Sequence, residues 1–393
     1  MLKHHATSDV LLAYQNYCLM RANDLNFAGP FISPARQADI LLSVLASTNE
    51  PDRPIPFGEH EFEVAADFLN DAVRANSDLS QPGSAAVSVQ SEEWKRAVNI
   101  AVPMFMHYFN TGLFASSVQV ADRVRAYVSA FDDVLESEGI LRSEHALEIA
   151  DWLNRRGDGC LRQWNEALDR LNELRDELSS KEGIEAASEY DFKSRYEELS
   201  IQVASAFRAF SVLERTELVE LFGRDGEKFW SDYSIGRGDG AEIQYPTDRA
   251  IAATKPIFRV TPTHGIVPSV NALYTAILSV GETALERSSS RTRFLSHRDS
   301  QLEKSAAAEF RRLLPMAQIF ESVYETPDAH KEHDVVVLTS DTVFIVEAKA
   351  SPPTEPFRDP LRSHADPASV LSRCNSRELR STRHRSDLVA RQE

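Results

Sequence analysis

Residues 332–349 read EHDVVVLTSDTVFIVEAK and limit what this chain can fold into. Asp334 opens an apolar run that ends at Leu338. Thr339, Ser340 and Asp341 interrupt it, and a second run from Thr342 to Val346 is β-branched and aromatic. Two apolar runs of strand length around a short polar break predict a β-hairpin. The second run is apolar at consecutive positions, which predicts a central strand covered on both faces. Side chains alternate along a strand, so Glu347 and Lys349 share a face. Antiparallel pairing brings the start of one strand beside the end of the next, and so predicts that Asp334, Glu347 and Lys349 converge at one sheet end. Two close carboxylates repel unless a cation lies between them, and hard oxygens suit Mg2+ or Mn2+. A lysine beside that ion can orient water and offset charge developing on a phosphate. The plainer account is that a strand ends in charged residues because it emerges into water.

Asp334, a strand turn and then Glu347-x-Lys349 resemble the PD-(D/E)xK nuclease superfamily, the restriction-endonuclease-like fold. The text HDVVVLTSDTVFIVEAKA is also similar to bacterial nuclease-related domains. His333 stands where the name-giving proline would be. The superfamily often carries a further Glu on the helix before the first core strand, and Glu309 in SAAAEFRRLLP takes that position, ahead of a strand over 317–324. The resemblance covers roughly residues 301–360. It implies metal-dependent hydrolysis of nucleic-acid phosphodiesters, of DNA in preference to RNA. It also implies Asp334 and Glu347 as Mg2+ (or Mn2+) ligands with the Ala348 carbonyl, Lys349 as the water-positioning residue, and Glu309 as an assisting carboxylate.

The chain has 393 residues, enough for two or three domains, and a hydrophobic content of 42% suffices for real cores. A net charge of −17 repels nucleic acid over most of the surface, so any phosphate contact needs a local basic patch. The best candidate runs from Arg291 and Arg293 through Arg298 and Lys304 to Arg311 and Arg312. A solvated linker and helix face would read the same way. Cys18, Cys160 and Cys374 have neither a disulfide-framework nor a metal-ligand spacing, which fits a reducing cytoplasm. No apolar stretch is long enough to cross a bilayer, so no membrane partner is expected.

The architecture expected is α+β: helical over 1–225, mixed over 226–290, nuclease-like over 291–360, and a non-homologous or disordered tail over 361–393. Within 59–73, Phe62, Ala65, Ala66, Leu69 and Val73 form one helical stripe. Helices are expected over 92–109, 117–138 and 144–154. Two longer ones over 161–180 and 190–222 would make a hairpin, with Gly223 as its stop. That hairpin reads either as a partner-binding or homodimer surface or as ordinary bundle packing. Strands are expected over 228–235, 241–245 and 257–260. Gly236-Arg-Gly-Asp-Gly240 between the first two reads as a hairpin turn rather than a phosphate cradle, because no Walker lysine follows. A helix over 268–287 completes the middle segment. His264, His330 and His333 are expected on the surface. The tail over 361–393 is Arg- and Ser-rich without apolar periodicity, as a frameshifted or truncated end or a disordered basic tail would be. A rival to the nuclease reading is a non-catalytic helical interaction protein carrying a degenerate or truncated nuclease-like domain.

Overall fold

The computed structural model describes residues 2–23, 31–32, 34–80, 91, 95, 116–179, 189–241, 251–324 and 332–348. The architecture is α+β: a helical body with a small four-stranded sheet, followed by a three-stranded sheet packed on one helix. Apart from residues 95 and 241, the helix expected over 92–109 and the strand over 241–245 lie outside the described residues, as do His330, Lys349 and the tail.

The N-terminal helices are α1 (Thr7–Asn23), α2 (Pro34–Ala46) and α3 (Glu59–Ser80). The α3 stripe is as expected, with Ala65, Ala66, Leu69 and Val73 buried and Phe62 packed beside them. These helices share a core with Ile235, Phe258 and Ile266 of the small sheet. Arg237, in the glycine-rich loop, anchors that sheet to the N-terminus. Its guanidinium donates to Thr7 Oγ1 (2.6 Å), His5 O (2.7 Å) and Asn49 O (3.0 Å), and pairs with Glu50 at 3.0 Å. The arginine is therefore consumed by protein groups rather than displayed to a phosphate.

The second, larger core joins α4 (Ser117–Tyr127), α5 (Asp132–Ser137) and α6 (Ser143–Ser179) to elements further along the chain. The single helix expected over 117–138 is broken by a 3-10 turn at Ser129–Phe131. The helices expected over 144–154 and 161–180 are one continuous helix. Ala146, Ala150, Leu153, Gly157, Trp164, Ala167 and Leu174 are all buried, and their spacing keeps a 4–3 repeat straight through the glycines. Continuous packing outweighs the roughly 1 kcal/mol that each interior glycine costs.

The partner of α6 is α7 (Glu189–Ser211), and the two pack against each other along a hairpin, so the seam is filled within the chain. The helix expected over 190–222 is interrupted. Val212–Glu214 form strand β1, which pairs antiparallel with β4 (His264–Ile266), and buried Leu213 lies opposite Gly265. The chain then resumes as α8 (Arg215–Phe222) and stops, as expected, at Gly223, whose φ of 59° suits a residue without Cβ.

Residues 228–235, expected as a strand, instead form most of α9 (Arg224–Tyr233), followed by the two-residue strand β2 (Ser234–Ile235). Phe229, Trp230 and Tyr233 are aromatic and suggest β-structure, yet their i, i+1, i+4 spacing buries all three on one helical face. Gly226 lets α9 approach α8, because a Cβ there would lie 2.1 Å from the Leu218 carbonyl oxygen. Strand β3 (Ile257–Arg259) pairs parallel with β2 and antiparallel with β4, giving the order β1-β4-β3-β2. Residues 226–290 thus contribute to both helical cores.

Two helices lead out of the body. Helix α10 (Val270–Arg287) is buried in the larger core through Leu273, Tyr274 and Ile277. Helix α11 (Arg291–Leu313) has two roles. Its first turns bury Phe294 in the body, and its later turns place Ala307 and Phe310 against the C-terminal sheet. That sheet is β5 (Gln318–Tyr324), β6 (Glu332–Leu338) and β7 (Val343–Val346), in the order β5-β6-β7 and antiparallel throughout.

Candidate active site

The expected hairpin is present. Val335 pairs with Val346 and Leu338 with Val343, and the Thr339 N–H donates to the Thr342 carbonyl (2.9 Å) to close the turn. Among the described residues the central strand is β6, and β7 is an edge. The apolar run of β7 does not mean cover on both faces: Val343, Phe344 and Ile345 are all exposed. Alternation sends Val335 and Val337 into the small core under α11, with Ile319 and Val346 beside them. The intervening positions form the opposite face.

The same register, continued by one residue, sets Asp334 beside Glu347 at the sheet end away from the turn. Asp334 Oδ2 accepts a hydrogen bond from the Ala348 N–H (2.7 Å), which ties that carboxylate to the backbone just after β7. The Glu347 Oε1 lies 3.3 Å from His333 Nδ1, so His333 is a neighbour of the motif rather than a surface-loop residue. Glu332 joins the same end and accepts from the Tyr324 hydroxyl (2.9 Å), a contact that raises the tyrosine pKa.

A backbone irregularity marks this end. Glu321 pairs with Val335 and Val323 with His333, but Ser322, opposite Asp334, drops out of the ladder with φ 52°. A non-glycine residue in the left-handed region stores on the order of 1–3 kcal/mol and persists only where its surroundings enforce it.

The helix carboxylate facing this end differs from the one expected. The sheet-facing stripe of α11 runs through Ala306, Ala307, Phe310 and Leu314. Glu309 is off that stripe, exposed, and paired with Arg312 at 2.8 Å. Glu303, one turn before Ala307, falls on the stripe and is half-buried. Burial raises its carboxyl pKa first, and the negative charges of Asp334 and Glu332 raise it further. Its place was readable in the sequence from the 303, 307, 310, 314 spacing.

The expected basic patch is not uniform. Arg298 is buried and donates to Glu286 (3.1 Å), so it belongs to the body core and is unavailable to a phosphate. Arg293 lies over the Phe131 ring at 4.8 Å. Arg311 pairs with Glu321 at 2.5 Å and Arg312 with Glu309. Arg291 and Lys304 are exposed. His297, next to Arg298, is likewise turned inward and donates to the Ala126 carbonyl (2.8 Å).

The donor set fits a hard divalent cation in kind. It comprises the carboxylates of Asp334 and Glu347, both hard oxygen donors. Among the described residues, no three His, Cys, Asp or Glu side chains are gathered into a ready-made cage. Also among these residues, no helix is long and apolar enough to cross a membrane. No protein-family model, curated protein or solved structure matches the chain.

Proposed function

We propose that residues 291–360 form a restriction-endonuclease-like module that hydrolyses phosphodiester bonds of DNA, or of RNA, with Mg2+ or Mn2+. The observation that carries this reading is the hydrogen bond from the Ala348 N–H to Asp334 Oδ2 (2.7 Å), which brings Asp334 to the residue after Glu347. Asp334, Glu347 and the Ala348 carbonyl would hold the ion. A bound divalent ion supplies an activated water and offsets charge on the phosphate. Glu303, on the sheet-facing stripe of α11, is the helix carboxylate whose pKa burial and the charges of Asp334 and Glu332 raise. The Asp334–Ala348 hydrogen bond fixes the carboxylate and the backbone carbonyl in one register, and such positioning matters because a displacement of about 1 Å can cost on the order of a hundredfold in rate. Lys349 follows directly and would orient the water. Arg291 and Lys304 remain as candidates for phosphate contact.

The purified chain is expected to nick plasmid DNA with Mg2+ or Mn2+ and not in excess chelator. Lys349→Ala and Asp334→Asn should each abolish nicking. Activity that survives both substitutions and chelation would sink this assignment. A total lack of cleavage of DNA and RNA would favour the interaction-protein reading, to which the sheet face that no described residue covers lends support.

A further inference from the structure

The face of the β5–β6–β7 sheet opposite α11 is polarised. Towards the β6–β7 turn it presents Phe320, Val336, Leu338, Val343 and Ile345, with Phe320 48%, Val343 56% and Ile345 57% exposed. No ionisable residue interrupts that patch. Towards the other end, alternation along β6 places Asp334 and Glu332 on the same face. Among the described residues, nothing covers this surface. Apolar side chains left in water at this density mark an interaction surface.

We propose that this face docks an amphipathic helix of another protein, with an apolar stripe over Phe320, Leu338, Val343 and Ile345 and a lysine- or arginine-rich end over Glu332 and its neighbouring carboxylates. The proposal does not depend on nuclease activity. Three strands spaced about 4.8 Å apart give a face about 10 Å wide, the width of one helix. The opposite face already takes a single helix, α11. Helix docking by an apolar stripe is a recurring recognition mode. Charge selects the kind of partner. The acidic end and the net charge of −17 attract a basic ligand and repel an acidic one. A second copy of this chain is a poor fit, because two such faces stacked about a two-fold axis set acid against acid or acid against the apolar patch.

The test uses the full chain and two labelled synthetic peptides of about five helical turns. Both carry the same leucine stripe, one ending in arginines and the other in glutamates. Fluorescence anisotropy should show saturable binding of the arginine-ended peptide, at least about tenfold tighter than its glutamate-ended twin, and weaker in high salt. Val343→Ser and Ile345→Ser, both at exposed positions and checked for unchanged circular dichroism, should each weaken binding about fivefold or more. Glu332→Gln should weaken it less and reduce its salt dependence. Equal binding of the two peptides, no binding of either, or affinity indifferent to Ile345→Ser would overturn the proposal. So would concentration-dependent dimerisation that Ile345→Ser abolishes, which would assign the face to a second copy.

Discussion

In the helical body, Leu147, Ala150, Phe229, Leu273 and Phe294 are shut off from solvent and packed from every side. Among the described residues of the C-terminal sheet and the stretch of α11 against it, only Val335, Val337 and Ala307 reach that state. The two regions are joined by one helix, α11, which is a core element of the first and the sole described cover of the second. A fully buried large side chain contributes about 1.5–3 kcal/mol, so the body has many such contributions and the sheet few. The candidate site therefore stands on the weaker region, held in place by a helix rooted in the stronger one. Sites that must admit a ligand are drawn from the low-stability end of a fold.

The sharpest way to break this contrast is at Phe294. Truncation to Ala opens a cavity beneath α11 and should cost about 3–5 kcal/mol in denaturant unfolding. Because α11 is shared, the loss should reach both regions in hydrogen exchange. Val337→Ala should cost less, about 1–3 kcal/mol. Its effect should stay in β5–β7, with body amides exchanging as before. If Val337→Ala loosened the body as much as Phe294→Ala does, the two-region description would fail.

The ease of reading the sequence divides along a different line. The C-terminal strands were legible because they are short β-branched runs bounded by polar breaks. The α3 stripe was legible because five apolar residues keep one helical period. The misreadings arose where a local signal competed with packing. Phe229, Trp230 and Tyr233 favour strand by type but helix by spacing. Gly157 and Gly159 look like a break, yet Gly157 lies on the buried stripe of α6. Val212 turns a helix into a strand only because β4, more than fifty residues later, is there to pair with it. At the end of β6 and β7, the approach of Asp334 to the residues after Val346 followed from strand register, whereas whether Glu303 or Glu309 turns towards the sheet depends on which side of α11 meets it.

A smaller effect separates the regions by pH. In the body, half-buried Glu282 of α10 is surrounded by Arg123 of α4, Arg298 of α11 and Glu286 of its own helix. Burial outweighs the two arginines and raises its pKa above 4.5. A raised carboxyl pKa contributes stability that is present below the unfolded value and lost as pH rises through the folded value. Glu282→Gln should therefore leave stability at low pH nearly unchanged and raise it at neutral pH. A variant that is less stable at neutral pH would show that the ionised carboxylate is a favourable partner of Arg123 and Arg298. The smallest expected change is at Ser322. Glycine there relieves the left-handed strain and should stabilise the sheet by up to about 1 kcal/mol, measurable as slower exchange in β5 and β6 with the body untouched.

The claim on which the functional reading rests is that Asp334 and Glu347, at the end of β6 and β7, hold a divalent ion. Titration of the full chain with Mn2+, followed by the loss of the free-ion electron paramagnetic resonance signal, addresses it without relying on any substrate. The account predicts saturable binding that weakens by more than about tenfold in Asp334→Asn and clearly in Glu347→Gln, and that is unchanged in Glu309→Gln. Absence of saturable binding, or a larger loss in Glu309→Gln than in Glu347→Gln, would contradict it.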